Sequence, residues 1–240
     1  MHSIFTDCRT APIRAGLVCL TLLAALICLP GRATSALQQQ PRGCINPGFG
    51  EAKQFVVNSK PYSLVVGDFN NDRQADIAVS NFATGRVSVV NGDGAGNFGP
   101  ARSYVAGEGA AGIAAGDFND DRKLDLAVAN QGANNVSVLF GEDGGTFSVA
   151  TNFAVGTRPS AVVAMDLNGD NKLDLAVANT ESGTLSILLG NGLGSFSPPA
   201  TIAVGGGPSF IAAGDLDGDS LTDLAVANSA SGNVSILFGS

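Results

Sequence analysis

The sequence predicts an all-β fold, a β-propeller-type array of four four-stranded blades, and three observations carry the prediction. The chain repeats with a period of 49 residues: Phe49, Phe98, Phe147 and Phe196 fall in register, as do Phe55, Tyr104, Phe153 and Ile202, and Val87, Val136, Leu185 and Val234. A period near 50 marks arrays in which a unit cannot bury its apolar face alone and stacks on its neighbour. Each period holds four short stretches rich in Val, Ile, Leu and Ala, bounded by Gly, Asn, Asp or Pro, with no room for a helix between them. Each period also carries one acidic loop at the same place.

Residues 1–36 read as a processing segment. Arg9 and Arg14 precede an apolar run over 15–29, and small residues follow at 33–36, the layout of a secretory signal peptide cleaved after Ala36 or, alternatively, after Ala33. The run is short for a membrane span, and Ile27 stands before Cys28 where a lipoprotein signal wants a small residue. The expected mature chain is secreted, extracellular or periplasmic, without a membrane span. Cys8, Cys19 and Cys28 leave with the segment, so Cys44 is alone in the Pro/Gly-rich entry segment 37–48, as a free thiol or an intermolecular link. The repeat array occupies 49–240.

In the third copy the four stretches are 152–155, 161–165, 173–178 and 184–189. Leu185-Ser186-Ile187 alternates as a half-buried strand does. The acidic loop lies between the second and third stretches, which makes it a hairpin tip. Residues 190–196, Gly-rich and ending in Phe196, lead toward the next repeat; no helix follows to turn them into a phosphate cradle. With the stretch before the acidic loop innermost (63–67 in the first copy), the last copy holds three strands and 55–58 is an orphan outer strand in the right phase. Pairing it beside residues 235–238 would close a ring and hide two edges. The alternatives are an open arc of blades, or strands shared between chains.

The loop Asp166-Leu167-Asn168-Gly169-Asp170-Asn171-Lys172-Leu173-Asp174 places oxygen-bearing side chains at positions 1, 3, 5 and 9. The other copies do the same with Asp68, Asn70, Asp72 and Asp76, with Asp117, Asn119, Asp121 and Asp125, and with Asp215, Asp217, Asp219 and Asp223. Calcium takes six to eight hard oxygens at roughly 2.3–2.6 Å, and a turn with oxygens on alternate residues can wrap it. The backbone carbonyl at position 7, from Gln74, Lys123, Lys172 and Leu221, is the expected fifth ligand, and water completes the shell. An EF-hand would need Gly at position 6 and Glu at position 12; here those positions hold Arg73, Arg122, Asn171 and Ser220, and Val79, Val128, Val177 and Val226. Asp and Asn also favour turns by bonding their own backbone, but four copies in phase point to a shared ligand. The expected cofactor is Ca²⁺, up to four ions.

These residues resemble the FG-GAP repeats of integrin α-subunits and the related bacterial VCBS repeats. The likeness rests on the loop running into Asp174-Leu175-Ala176-Val177-Ala178-Asn179 and on the pairs Phe49-Gly50 and Phe98-Gly99, and it covers 49–240. It implies four-stranded propeller blades with calcium in the hairpin between the first two strands, and an adhesion role. The family often has Gly at position 6 and commonly seven blades; this chain has neither. Position 4 holds Asn71, Asp120, Gly169 and Gly218, all tolerant of positive φ, so the tight bend is expected there.

Catalysis is poorly supplied. The single histidine is His2, inside the processing segment, which removes His-based triads and His-ligated zinc. Glu142 and Asp143 could in principle do acid/base work on a glycan, but adjacent acids in a turn are ordinarily solvated. The full chain carries a net charge of −8, and loss of Asp7, Arg9, Arg14 and Arg32 makes it about −10. That acidity is concentrated in the loops, and no basic patch supports nucleic-acid binding. The expected function is non-enzymatic: a secreted calcium-binding scaffold for extracellular protein or carbohydrate recognition, with a structural unit of an envelope or surface layer as the alternative. Tyr62, Phe82 and Phe210 break the repeat phase and are the candidate recognition aromatics.

Overall fold

The computed structural model describes residues 51–240, of which Lys53–Ser240 forms a compact unit. The expected export segment, Cys44, Phe49 and the entry segment lie outside the described residues. No helix among the described residues is long and apolar enough to cross a membrane.

The unit is a β-propeller-type array of four antiparallel sheets. The first blade is β1 (Pro61–Gly67), β2 (Asp76–Asn81), β3 (Arg86–Val90) and β4 (Arg102–Val105), paired in chain order. The second is β5 (Ala110–Gly116), β6 (Asp125–Asn130) and β7 (Asn135–Leu139), completed by β10 (Thr151–Ala154); the ribbon β8 (Gly141–Glu142) and β9 (Thr146–Phe147) lies in the connection between β7 and β10. The third is β11 (Pro159–Met165), β12 (Asp174–Asn179), β13 (Thr184–Leu188) and β14 (Ala200–Ala203), and the fourth is β15 (Pro208–Gly214), β16 (Asp223–Asn228) and β17 (Asn233–Leu237). Every inner strand carries a register shift near its start, between Pro61 and Ser63 and at the equivalent sites. A bulge there sharpens the strand's twist.

The second strand of each inner blade is buried along its whole length, because it lies between two strands of its sheet and between two neighbouring blades. This is why Asp-Leu-Ala-Val-Ala-Asn reads as a nearly continuous apolar run and not as an alternation. Each blade has a forward face toward the next blade and a rear face toward the previous one. Between blades two and three, Ala127, Ala129, Val136 and Val138 meet Val162, Leu175, Val177 and Leu188 in one core. Equivalent residues form the cores on either side. An aromatic clasp at the rim joins the outer strand of one blade to the connection of the next: Tyr104 meets Phe147 edge-on at 5.3 Å, and Phe153 meets Phe196 at 5.1 Å.

The ring does not close. Residues 55–58 form no strand and are not paired with β17, which ends a three-stranded sheet. The inner strands pack in succession, β1 on β5, β5 on β11 and β11 on β15. On the rear face of blade one and the forward face of blade four, Leu64, Val66, Val234, Ile236 and Phe238 are exposed. The unit is therefore the open arc. Blade rotation is set by how the side chains of two sheets interlock, which strand count alone does not specify.

Candidate metal centre

The four acidic loops are the tips of the hairpins β1–β2, β5–β6, β11–β12 and β15–β16. They are built by their own side chains. The Asp at position 1 accepts from the N–H at position 6: Arg73 to Asp68 and Arg122 to Asp117 at 2.7 Å, Asn171 to Asp166 at 2.7 Å and Ser220 to Asp215 at 3.0 Å. The side chain at position 3 accepts from the N–H at position 5, as in Asp72 to Asn70 at 2.9 Å and Asp219 to Asp217 at 3.2 Å. The Asp at position 5 accepts from position 7, where the N–H groups of Gln74, Lys123, Lys172 and Leu221 lie 2.7–3.0 Å away. These bonds draw the oxygens to the inside of the turn.

Position 4 takes positive φ in all four copies, as the residue types predict. Position 6 does so as well, with φ of 68° at Arg73, 67° at Arg122, 62° at Asn171 and 70° at Ser220. A non-glycine residue there costs roughly 1–2 kcal/mol, which accounts for the glycine that the resembling repeats favour at position 6. The side chains of Arg73 and Arg122 are exposed to solvent.

Position 9 has two duties. Asp76, Asp125, Asp174 and Asp223 have no exposed surface. One oxygen of each accepts from the N–H at loop position 2 and the other from the glycine that opens the connection after the third strand: for Asp125, Phe118 N–H at 2.9 Å and Gly141 N–H at 2.7 Å; for Asp174, Leu167 at 3.0 Å and Gly190 at 2.8 Å. Asp76 and Asp223 repeat the pattern with Phe69 and Gly92, and with Leu216 and Gly239. The carboxylate thus ties the hairpin to its own blade, while each oxygen keeps a further lone pair for a cation.

Burial sets the titration of these groups. Desolvation pushes Asp125 up to about 6, against the lowering by the Gly141 and Phe118 N–H groups, with Asp121 and Asp117 adding repulsion. Asp76 and Asp174 are raised for the same leading reason. Asp223 is lowered, because the N–H groups of Gly239 and Leu216 outweigh its desolvation. Asp166 is also lowered, the N–H groups of Asn171, Gly169, Asn168 and Asp170 together outweighing its desolvation. A carboxyl raised from 3.8 to about 6 in the fold favours the native state below pH 4, and that contribution, on the order of 3 kcal/mol, is lost as pH rises through about 6. Carboxyl carbon resonances in chelator are expected to show an Asp125 midpoint near 6 that falls below 4 in calcium; a midpoint near 4 in both would contradict the burial account.

In the fourth loop, ligand oxygens of Asp215, Asp217 and Asp223 lie within 4.8 Å of one another, the sole such acidic, His or Cys cluster among the described residues. Asp219 is not in that group. In loops one to three Asn70, Asn119 and Asn168 take position 3, and in the second and third a lysine lies close by: Lys172 Nζ is 3.8 Å from Asp170, and Lys123 Nζ is 3.9 Å from Asp121 and 3.0 Å from Asp143. The donor sets are all hard oxygen and fit calcium.

The three out-of-phase aromatics are brought near the axis. Tyr62 stacks on Phe82 at 5.7 Å with Lys60 Nζ 4.8 Å from the Phe82 ring. Tyr62 and Phe210 line a cavity of about 400 Å³ among the four inner strands, with Leu64, Ile113 and Val162. A larger cavity, about 750 Å³, opens at the turns that follow the second strands, lined by Phe82, Glu108, Gln131, Asn134, Arg158 and Glu181. Arg158 Nε lies 4.0 Å from Glu181. Glu108 and Glu181 lie in loops of different blades, and only the fold gathers them.

A second repeated device escaped the sequence reading. Asn81, Asn130, Asn179 and Asn228, each ending a second strand, donate from Nδ2 to Ser88, Ser137, Ser186 and Ser235 at 2.7–3.0 Å. The 49-residue phase of both residue types was the available signal. Their Oδ1 atoms are buried without a protein partner, a place for an internal water.

A family model described as an FG-GAP-like repeat matches the chain three times, at residues 68–128, 117–177 and 166–226. Comparison with curated proteins gives no match. Among solved structures, BBS1N in complex with ARL6DN is similar at 18% identity and a TM-score of 0.49, over 75% of this chain and 57% of that one. A lectin of Agrocybe aegerita that recognises non-reducing terminal N-acetylglucosamine is similar at 17% identity and a TM-score of 0.47, over 72% and 51%. This chain thus spans little more than half the length of either. At these scores neither likeness bears on function.

Proposed function

The chain belongs to the FG-GAP-like repeat family, and from that premise we propose that it is a secreted calcium-binding repeat scaffold that presents its loops and cavities for extracellular recognition of protein or carbohydrate, without catalytic activity. The observation that carries the calcium reading is the fourfold acidic hairpin, with its carboxylates converging most tightly in the fourth copy. A bound cation would offset the desolvation that raises the position-9 carboxyls and the repulsion among their neighbours. The recognition reading rests on the exposed Tyr62 and Phe210 and on the polar cavity around Arg158 and Glu181. Aromatic faces beside hydrogen-bonding side chains suit a sugar or a peptide.

Native mass spectrometry with and without chelator counts the ions, and up to four are expected. The fourth loop is expected to fill first, since it carries four carboxylates at the ligand positions where the others carry three, and three of its four, Asp215, Asp217 and Asp223, already converge. Asp217→Asn should bring its affinity down toward that of the third loop, roughly tenfold. If the first or second loop binds tightest, geometry at positions 4 and 6 outweighs charge. A glycan array in calcium tests the carbohydrate branch, with Phe82→Ala and Arg158→Ala as the variants expected to lose any signal.

A further inference from the structure

Residues 141–147 and 190–196 lie in the connections between the third and fourth strands of blades two and three, and each of these turns touches ligand residues of two hairpin tips. The base of the turn in blade three is tied to its own blade: Gly190 N–H donates to Asp174, position 9 of the third loop, at 2.8 Å. Its tip rests on the blade before. Gly194 N–H donates to the Phe118 carbonyl at 2.9 Å, the Phe196 ring meets the Phe118 ring edge-on at 5.7 Å, and a Cβ at Gly194 would stand 3.5 Å from Asn119 Cβ. Phe118 and Asn119 are positions 2 and 3 of the second loop. Blade two repeats the arrangement one period earlier: Gly141 N–H donates to Asp125 at 2.7 Å, the Phe147 ring meets Phe69 at 5.9 Å, and a Cβ at Gly145 would stand 2.8 Å from Asn70 Cβ. One short turn thus joins position 9 of a loop to position 3 of the loop before it.

The turns are braced internally. Asn191 Oδ1 accepts from Leu193 N–H at 2.8 Å and from Ser195 N–H at 3.1 Å, Asn191 N–H donates to the Ser195 carbonyl at 3.0 Å, and Gly190 bridges to Phe196. In blade two the ribbon β8–β9 serves the same end by pairing Gly141 with Phe147 and Glu142 with Thr146. At the tip the path continues into the loop, since Phe118 accepts from Gly194 on its carbonyl and donates its own N–H to Asp125 at 2.9 Å. A line of contacts therefore runs from Asp174 through 190–194 and Phe118 to Asp125, and onward through Gly141 to the turn that rests on Phe69 and Asn70.

Resting on the calcium reading above, we infer that the first three loops bind calcium with positive coupling between neighbours, the turns 141–147 and 190–196 acting as struts between the sites. A loop that holds its ion fixes position 9, position 9 fixes the strut, and the strut holds positions 2 and 3 of the loop before it. The cost of ordering a strut falls on whichever ion binds first, so the second binds to a part already ordered. The sign separates this route from a direct one, because two divalent ions repel and an effect through space alone would weaken the second site. Coupling in binding free energy is reciprocal, so each neighbour shifts the other by the same factor.

The test titrates calcium into the full chain at neutral pH while the carboxyl carbon resonances of Asp121 and Asp170 report the second and third loops separately. Silencing the third loop with Asp166→Asn and Asp170→Asn is expected to weaken the second about fivefold, and silencing the second with Asp117→Asn and Asp121→Asn to weaken the third by the same factor. Silencing the first with Asp68→Asn and Asp72→Asn is expected to move the third far less, whereas a general loss of stability would move every loop alike. Asn191→Ala, at an exposed side chain, and Phe196→Ala each loosen the strut of blade three. In either background, with the sheets verified by circular dichroism, silencing the third loop is expected to leave the second unchanged; should Phe196→Ala fail to fold, Asn191→Ala decides. If no loop takes up an ion, the calcium reading fails and the coupling with it. If the loops fill but silencing the third leaves the second unchanged or tightens it, the coupling alone is overturned, and coupling that survives in the strut variants overturns its assignment to 190–196.

Discussion

Chelation of calcium is expected to lower the melting temperature of this protein by about 20 °C or more. A ligand that binds the native state alone stabilises it by mass action, about 2.7 kcal/mol for a site at a hundredfold excess over its dissociation constant. Four such loops, each holding one ion, would contribute about 11 kcal/mol, comparable with the whole stability of an ordinary domain. For a unit of this size each kcal/mol moves the midpoint by roughly 2–4 °C. The loops lie at hairpin tips, and the position-9 carboxylate anchors each tip to its blade, so loss of the ion acts on the sheets and not on the turn alone. Thermal melts in calcium, in magnesium and in excess chelator decide it. Identical midpoints in all three would mean that these hairpins are Asx turns held by their own hydrogen bonds.

Gly112→Ala is expected to destabilise by about 1–3 kcal/mol, against the usual small gain from replacing glycine in extended backbone. Gly112 lies on β5 where it passes β11, and a Cβ there would stand 2.7 Å from Ala161 Cα, 2.8 Å from the Ser160 carbonyl oxygen and 3.0 Å from Val162 N. All three are backbone atoms of the neighbouring blade. None can swing aside, so the two inner strands must separate and the core between blades two and three opens with them. Gly214 is the matched control, since it also lies on an inner strand, with nothing within 4 Å of its Cβ direction. Gly214→Ala should be neutral or stabilising by a few tenths of a kcal/mol. Equal effects of the two substitutions in chemical denaturation would show that strand propensity, and not blade spacing, governs them.

The blade count, the strand order within a blade and the place of the acidic loops were legible because each is a local or periodic property. Position 9 was read as a ligand like the others. That it also accepts two backbone N–H groups depends on the connection after the third strand folding back over the hairpin, so no loop sequence taken alone contains it. The positive φ at position 6 was hidden in the same way in three of the four loops: Arg73, Arg122 and Ser220 mark no bend, and the hydrogen bond from position 6 to the first Asp imposes one. Tyr62, Phe82 and Phe210 were separable from the core by phase, yet their meeting near the axis follows from the packing of successive inner strands.

The sequence by itself determined the all-β repeat, the four sheets and the oxygen-rich hairpin tips, because a hydrophobic pattern of fixed period and a turn of fixed spacing act over a few residues at a time. Only the tertiary structure decided that the four described blades form an arc and that residues 53–57 lie against blade one and not beside β17. Those outcomes turn on the angle between packed sheets. That angle is the sum of many side-chain contacts between residues 49 positions apart, and a small change in it, repeated at three interfaces, separates a closed ring from an open one.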